Sequence, residues 1–459
     1  MTSSAPSRFK RNSPSLFVAI TSMFLVACAS GPTGPGAPIV VGGGSQQPSA
    51  PTETAVGDPS DSDTIETAET DPDADTTAGE DTDTATAEEA TQYTRSEGGF
   101  VPPHMAGREI KRAAVLLPFS HPNANVRADA EGLLAGIELA LFSRNEENFV
   151  ILPKDTAGVQ SQARTKTEEA LQEGADIIIG PLFSANVQIA RDEARKANVP
   201  VIGFSSRPEA IGGGAYSIAL SPESEVARVV QTAAARGAKY YAFLGAEDAY
   251  GRRVEQALRI AAARNGGDVI TSVFYSPSND APVSEAEQVA RAINALGERP
   301  EGEIAVLIPE QGVKLRSVAP LLPYSNVDIR RIQMLGTGRW NDASVWREPT
   351  LIGGIFAAPD PKNLEQFSAL YERIYRAEPS NLAALGYDAG AMAAALASVE
   401  GRNGFAGLTT RDGFQGVNGI FRFSSNGEVE RSLSVLEIDP RQGAIPVELG
   451  LDTFDPPTG

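Results

Sequence analysis

From Glu109 onward, short runs of consecutive apolar residues alternate with longer stretches in which apolar side chains recur every three or four positions. The first pattern predicts buried strands and the second amphipathic helices, and their alternation predicts parallel α/β layers. Strands are expected at 113–117, 150–152, 177–179, 199–204, 240–244, 269–274, 304–308 and 332–335. Between them, the helix at 222–236 is fully punctuated: Ser221 can cap its start, Pro222 suits the first turn and Gly237 ends it. Val226, Val229, Val230 and Ala233 then share one buried face. Parallel strands joined by helices leave their loops at the carboxyl edge of the sheet, where ligands bind, so a site is expected just after a strand. The 351 residues from 109 to 459 exceed the usual size of a single core and predict two lobes.

Upstream the pattern stops. Residues 29–108 are Gly, Pro, Ser, Thr, Ala, Asp and Glu with few large apolar side chains, a composition that buries too little surface to offset chain entropy. A disordered tether is expected, spanning more than the roughly 50 Å of a neutral flexible chain of that length because like charges resist collapse. Residues 12–94 hold 14 Asp or Glu and no Lys or Arg, so they supply −14 of the net charge of −20. The remainder is mildly acidic without a basic face, which excludes nucleic acid as a partner class. Asp71-Pro72-Asp73-Ala74-Asp75 imitates a calcium loop, but Thr76 and Thr82 stand where Gly and Glu are required.

At the N-terminus, Arg8, Lys10 and Arg11 precede an apolar run at 16–27 of only 12 residues, interrupted by Thr21 and Ser22. A membrane-crossing helix needs about 20 apolar residues, so a cleaved signal is expected. The run ends in Leu25-Val26-Ala27-Cys28, which resembles a bacterial lipobox. That resemblance implies cleavage after residue 27, lipidation of Cys28 and anchoring in a membrane, with residues 28–108 as the tether. Ala29 stands where inner-membrane retention usually takes Asp, which favours the outer membrane. Cys28 is the only cysteine, so the folded part is expected to contain no disulfide.

A series of motifs resembles, in order, the type I periplasmic binding proteins typified by the branched-chain amino-acid receptors. They are Ala114-Val115-Leu116-Leu117-Pro118-Phe119-Ser120, the helix with Gly132 and Gly136, Lys154-Asp155-Thr156, Ile177-Ile178-Ile179-Gly180-Pro181-Leu182-Phe183-Ser184, and Val201-Ile202-Gly203-Phe204-Ser205-Ser206. Asp248-Ala249-Tyr250-Gly251, Gly386-Tyr387-Asp388-Ala389 and Phe414-Gln415-Gly416-Val417-Asn418-Gly419 complete the series. The resemblance implies a two-lobed fold with three hinge crossings, near Ser217, Gly354 and Glu428. Residues 109–218 with 354–428 would form one lobe, and 219–353 with 429–459 the other.

The same resemblance makes Ser184 a ligand-carboxylate residue and places Ser205, Ser206 and Arg207 in a second carboxylate-binding loop, with Tyr250 facing them from the other lobe. Serines in loops equally serve as caps, and Tyr250 equally serves packing. The chain also departs from the receptors. Where they carry an acid for the ligand's ammonium there is Gly338, followed by Arg339. An ammonium buried there would lack its counter-charge. Arg207 and Arg339 suit a small anion, or else pair with acids such as Glu209 and Asp342.

A closer resemblance is to the penicillin-binding protein activators, outer-membrane lipoproteins that share Leu152-Pro153-Lys154-Asp155-Thr156-Ala157-Gly158, the Gly180-Pro181-Leu182-Phe183-Ser184 loop, and a lipobox. It implies a non-catalytic partner of a peptidoglycan synthase. The enteric members carry a helical-repeat domain where this chain has its acidic segment. The residues themselves offer no enzyme site: the two histidines, His104 and His121, are not paired with a nucleophile elbow, and no metal-ligand spacing or phosphate-binding glycine motif occurs. No cofactor is expected. The alternative is a solute-binding receptor of a branched-chain-type amino-acid transporter.

Overall fold

The computed structural model describes residues 105, 107–144, 148–380, 382–398 and 404–454. Cys28, the expected signal and nearly all of the expected tether lie outside them. The first sheet is built by β1 (Lys111–Leu117), α1 (Ala124–Arg144), β2 (Phe149–Asp155), α2 (Gln160–Gln172), β3 (Ile177–Ile179), α3 (Ser184–Ala194), β4 (Val201–Gly203) and β5 (Ala215–Ser217). Its strands run in the order β2-β1-β3-β4-β5, every pair parallel. Burial on both faces explains why these strands read as continuous apolar runs: all seven residues of β1 are buried, Lys111 and Arg112 included.

The second lobe follows with α4 (Pro222–Ala235), β6 (Tyr240–Ala246), α5 (Ala249–Arg264), β7 (Asp268–Tyr275), α6 (Val283–Ala295), β8 (Ile304–Leu307), α7 (Gly312–Val318), α8 (Leu321–Tyr324), β9 (Ile332–Gly336) and β10 (Ile355–Ala358). The start of α4 is as expected, with Ser224 N donating to Ser221 Oγ at 3.1 Å. The chain then returns through α9 (Pro361–Tyr375) and α10 (Ala383–Ala397) to the first lobe. A hairpin, β11 (Phe421–Phe423) and β12 (Val429–Arg431), leads to β13 (Ser434–Asp439) and β14 (Gly443–Glu448), which extend the second sheet antiparallel. That sheet runs β14-β13-β10-β9-β8-β6-β7. All eight expected strands occur, within parallel sheets flanked by helices.

The glycines of the expected motifs let α1 and α10 touch backbone to backbone. A Cβ on Gly136 would lie 2.0 Å from Ala383 O, and one on Gly386 would lie 2.2 Å from Leu133 O. No larger residue fits this crossing without separating the helices.

Two of the expected crossings are corrected. The first sheet ends at Ser217, but Gly354 is not a crossing, because β10 stays in the second sheet and pairs with β9 and β13. The passage falls at 359–360, where Asp360 caps α9 through Lys362 N at 2.9 Å. Glu428 is not a crossing either: β12 pairs with β11, whose Phe421 and Phe423 belong to the first lobe's core, so the chain leaves at 432–433. The tail also returns to the first lobe, with Gln415 Nε2 donating to Asp452 O at 2.7 Å and Phe454 packing under the Arg422 guanidinium.

One fully buried ion pair ties these passages together. Arg431 Nη1 lies 2.9 Å from Asp388 Oδ2 on α10, and Arg431 Nη2 donates to Ile218 O, in the first passage, at 3.1 Å. Val417 N and Asn418 Nδ2 also donate to the Asp388 carboxylate. Burial pushes the Asp388 carboxyl up and the Arg431 guanidinium down, and their pairing opposes both shifts.

Candidate functional site

Both sheets share the same parallel strand order, 2-1-3-4-5, if the second is counted from β6. In that order the crevice lies where the winding reverses, outside the carboxyl ends of strands 1 and 3. The first lobe therefore offers the β1 and β3 ends, and the second offers the β6 and β8 ends.

At the first lobe's crevice, Gly180 follows β3 with φ +96°, and a Cβ there would meet Leu116 O at 2.2 Å. This tight turn delivers Ser184 to the first position of α3, with Phe183 at the cap. The Ser184 hydroxyl makes no hydrogen bond among the described residues. Beside it, Asp155 at the end of β2 accepts from Ser120 N at 3.2 Å and Ala157 N at 2.8 Å. Burial pushes this carboxyl up, but the hydrogen bonds from Ser120 and Ala157 outweigh burial and hold it below its ordinary value. His121 packs on Phe183 with ring centroids 5.6 Å apart, so it lines this mouth.

The second expected loop is occupied mainly by structural bonds. Ser205 Oγ accepts from Arg207 N at 3.3 Å, a local turn contact. Arg207 Nη1 lies 3.3 Å from Glu209 Oε1, the pairing open to it from sequence. Ser206 contributes its carbonyl, which accepts from Arg253 Nη2 on the second lobe's α5 at 3.0 Å. The same guanidinium binds both oxygens of Glu223, at 2.9 Å each. Arg253 thus bridges the two lobes beside the expected ligand loop.

At the second lobe's crevice, side chains bond to one another. Glu310, just beyond β8, accepts from Tyr275 Oη and, at 3.2 Å, from Ala246 N at the end of β6. A single carboxylate therefore spans the two strand ends between which a ligand would enter. Burial, reinforced by the Glu310 charge, pushes the Tyr275 hydroxyl up, so it remains a neutral donor. The Tyr250 hydroxyl donates to buried Thr337 Oγ1 at 2.9 Å, and the Arg339 guanidinium covers its ring at 3.5 Å. Asp342, an acid considered for Arg339, accepts from Ser344 N and Oγ at 2.8 Å each.

An acid does stand near Gly338. Glu225, in the first turn of α4, is buried and accepts from Gly338 N at 2.9 Å, and a Cβ at 338 would come within 2.8 Å of its Oε1. Glu225, Glu310 and Arg253 are site residues that the sequence reading missed. The acidic first turn after Ser221-Pro222 was a signal for Glu225. For the other two, the partners lie 30 to 64 residues away, and no local pattern announces them.

Among the described residues, no group of three His, Cys, Asp or Glu is placed to hold a metal ion. No described helix is long and apolar enough to cross a membrane.

Comparison with solved structures finds the same fold at low identity. A putative branched-chain amino acid ABC transporter protein from Rhodospirillum rubrum superposes with a TM-score of 0.65 at 20% identity, covering 74% of this chain and 100% of that one. An ABC-type branched-chain amino acid transporter protein from Rhodopseudomonas palustris gives a TM-score of 0.61 at 16% identity, covering 74% and 97%. Full-length LpoA from Haemophilus influenzae gives 0.58 at 16% identity, covering 74% of this chain and 59% of LpoA. No curated protein matches the sequence. The family model described as periplasmic binding protein matches residues 112–444. With that span and the two-lobed type I architecture, the chain belongs to the periplasmic binding protein family.

Proposed function

We propose that this chain is a lipid-anchored, non-catalytic lipoprotein of the penicillin-binding protein activator type, which supports peptidoglycan synthesis by contact from the outer membrane. The observation that carries this reading is the second lobe's crevice: Glu310 bridges Tyr275 and Ala246, and Tyr250 is held between Thr337 and Arg339. A receptor must offer its second lobe to a ligand, whereas these groups are committed to one another. The lipobox at Cys28 and the acidic tether support the same reading, because a partner rooted in the opposite membrane requires reach. The shared fold with LpoA agrees with it.

The alternative is a solute-binding receptor of a branched-chain-type transporter. It draws on the full coverage of the Rhodospirillum rubrum protein and on the Ser184 hydroxyl, which has no partner within the described residues. Ser184, Ser205, Ser206, Arg207, Tyr250 and Arg339 would be its ligand residues.

Thermal unfolding against amino acids, short peptides and muropeptides separates the two, since a ligand that binds only the folded state raises the melting temperature. The proposal expects no shift with any free amino acid; a shift with one amino-acid class that Ser184→Ala removes would establish the receptor. Replacement Cys28→Ala is expected to release the protein from the outer-membrane fraction, and sedimentation unchanged by it would refute the anchor.

A further inference from the structure

The first lobe carries a groove of about 560 Å³ between α1 and the end of α9. Its floor is made shallow by the small residues Ala128, Gly132 and Ala135 of α1. Tyr371 and Tyr375 form its aromatic wall, with ring centroids 4.7 Å apart. Tyr375 is fixed in place, because its hydroxyl donates to Ala135 O at 2.9 Å and to Glu138 Oε2 at 3.3 Å. Burial, with the Glu138 charge behind it, pushes that hydroxyl up, so it does not ionise in the neutral range.

The charged residues along the groove wall are both acids, although exposed Arg373 and Arg376 stand near the same end of α9. Glu131 and Glu378 line it, both exposed, and neither forms an ion pair among the described residues. No Lys or Arg lines it. The base one turn before Glu131, Arg127, is directed instead to the carbonyls of His121 and Pro122 at 2.7 and 3.0 Å. Two unneutralised carboxylates over a tyrosine pair are complementary to an organic cation, which gains Coulomb attraction from the first and a cation–π contact from the second.

The apolar surroundings extend beyond what a free amine would touch. Ile374, 49% exposed, continues the Tyr371–Tyr375 face of α9, and Phe142, 72% exposed, stands farther along the α1 row that includes Glu131, Ala135 and Glu138. We infer that this groove docks a partner polypeptide through a lysine or arginine side chain, with flanking apolar residues on the Phe142 and Ile374 margins. The inference is independent of what the cleft does.

Fluorescence anisotropy of a labelled peptide, acetyl-(Ala-Lys)₃-amide, against the full chain tests it. The same peptide with norleucine for lysine keeps the alkyl stem and removes the charge. The inference expects the lysine peptide to bind at least about tenfold more tightly than the norleucine peptide, and expects Glu131→Gln with Glu378→Gln to remove that preference. Glu365→Gln, an exposed change elsewhere on α9, should leave binding unchanged. Equal binding of the two peptides, lysine-peptide binding unaffected by the double substitution, or displacement by lysine amide at the peptide's own concentration would each overturn it.

Discussion

The two lobes repeat one parallel strand order and yet treat its crevice in opposite ways. In the first, the tight turn at Gly180 brings the Ser184 hydroxyl to the start of α3 without a partner among the described residues, and Asp155 is held by backbone N–H groups. In the second, Glu310, just beyond β8, accepts from Ala246 N at the end of β6 and from the Tyr275 hydroxyl. The fold therefore fixes where a ligand would bind but leaves to individual side chains whether that place stays open. The proposed contact role rests on this difference between the lobes.

The largest way to break this comparison is to remove what both lobes share. Asp388→Ala would leave Arg431 buried without its counter-charge at the junction of the passages, and is expected to lower stability by about 3–5 kcal/mol, read from the denaturant midpoint. A change below about 1 kcal/mol would mean that Arg431 does not depend on Asp388 as its buried counter-charge.

Within the lobes, the contrast itself can be measured. Glu310→Ala strands the Tyr275 hydroxyl and Ala246 N and should cost about 1–3 kcal/mol, whereas Ser184→Ala breaks no hydrogen bond and should stay within about 0.5 kcal/mol. Equal losses would erase the distinction. Arg253→Ala removes the bond to the Ser206 carbonyl that spans the cleft, at a cost of about 0.5–1.5 kcal/mol. Its sharper readout is small-angle scattering, where a larger radius of gyration is expected for the variant.

The smallest effect concerns pH and belongs to the first lobe alone. Because the folded Asp155 carboxyl lies below its unfolded value, its contribution is complete above the ordinary carboxylate pKa of about 3.9 and is lost as pH falls through the lower folded value. Asp155→Asn should therefore narrow the stability difference between neutral and strongly acidic solution, while leaving its acid limb otherwise similar.

Much of this architecture was legible in sequence because buried parallel strands are apolar on both faces and stand out as short runs. Gly136 and Gly386 stood out only through the family resemblance, and the close approach of α1 and α10 that they permit was not legible. The crossings were less so. Ile355-Phe356-Ala357-Ala358 reads as a buried strand in either lobe, and only its pairing with β9 and β13 assigns it to the second. The Pro359-Asp360-Pro361 punctuation marked the true passage. Likewise the bonds of Ser205 and Arg207, to Arg207 N and Glu209, are local, while Glu310 and Arg253 bond residues far away in the chain.

The central claim is that this protein acts by contact and that its cleft is not the instrument. Its most direct test is the rate of peptidoglycan synthesis by a reconstituted bifunctional penicillin-binding synthase, with the full chain and with its Ser184→Ala, Ser205→Ala variant. The account predicts stimulation by the wild type that the variant retains in full. No stimulation by the wild type, or stimulation lost with the two serines, would contradict it.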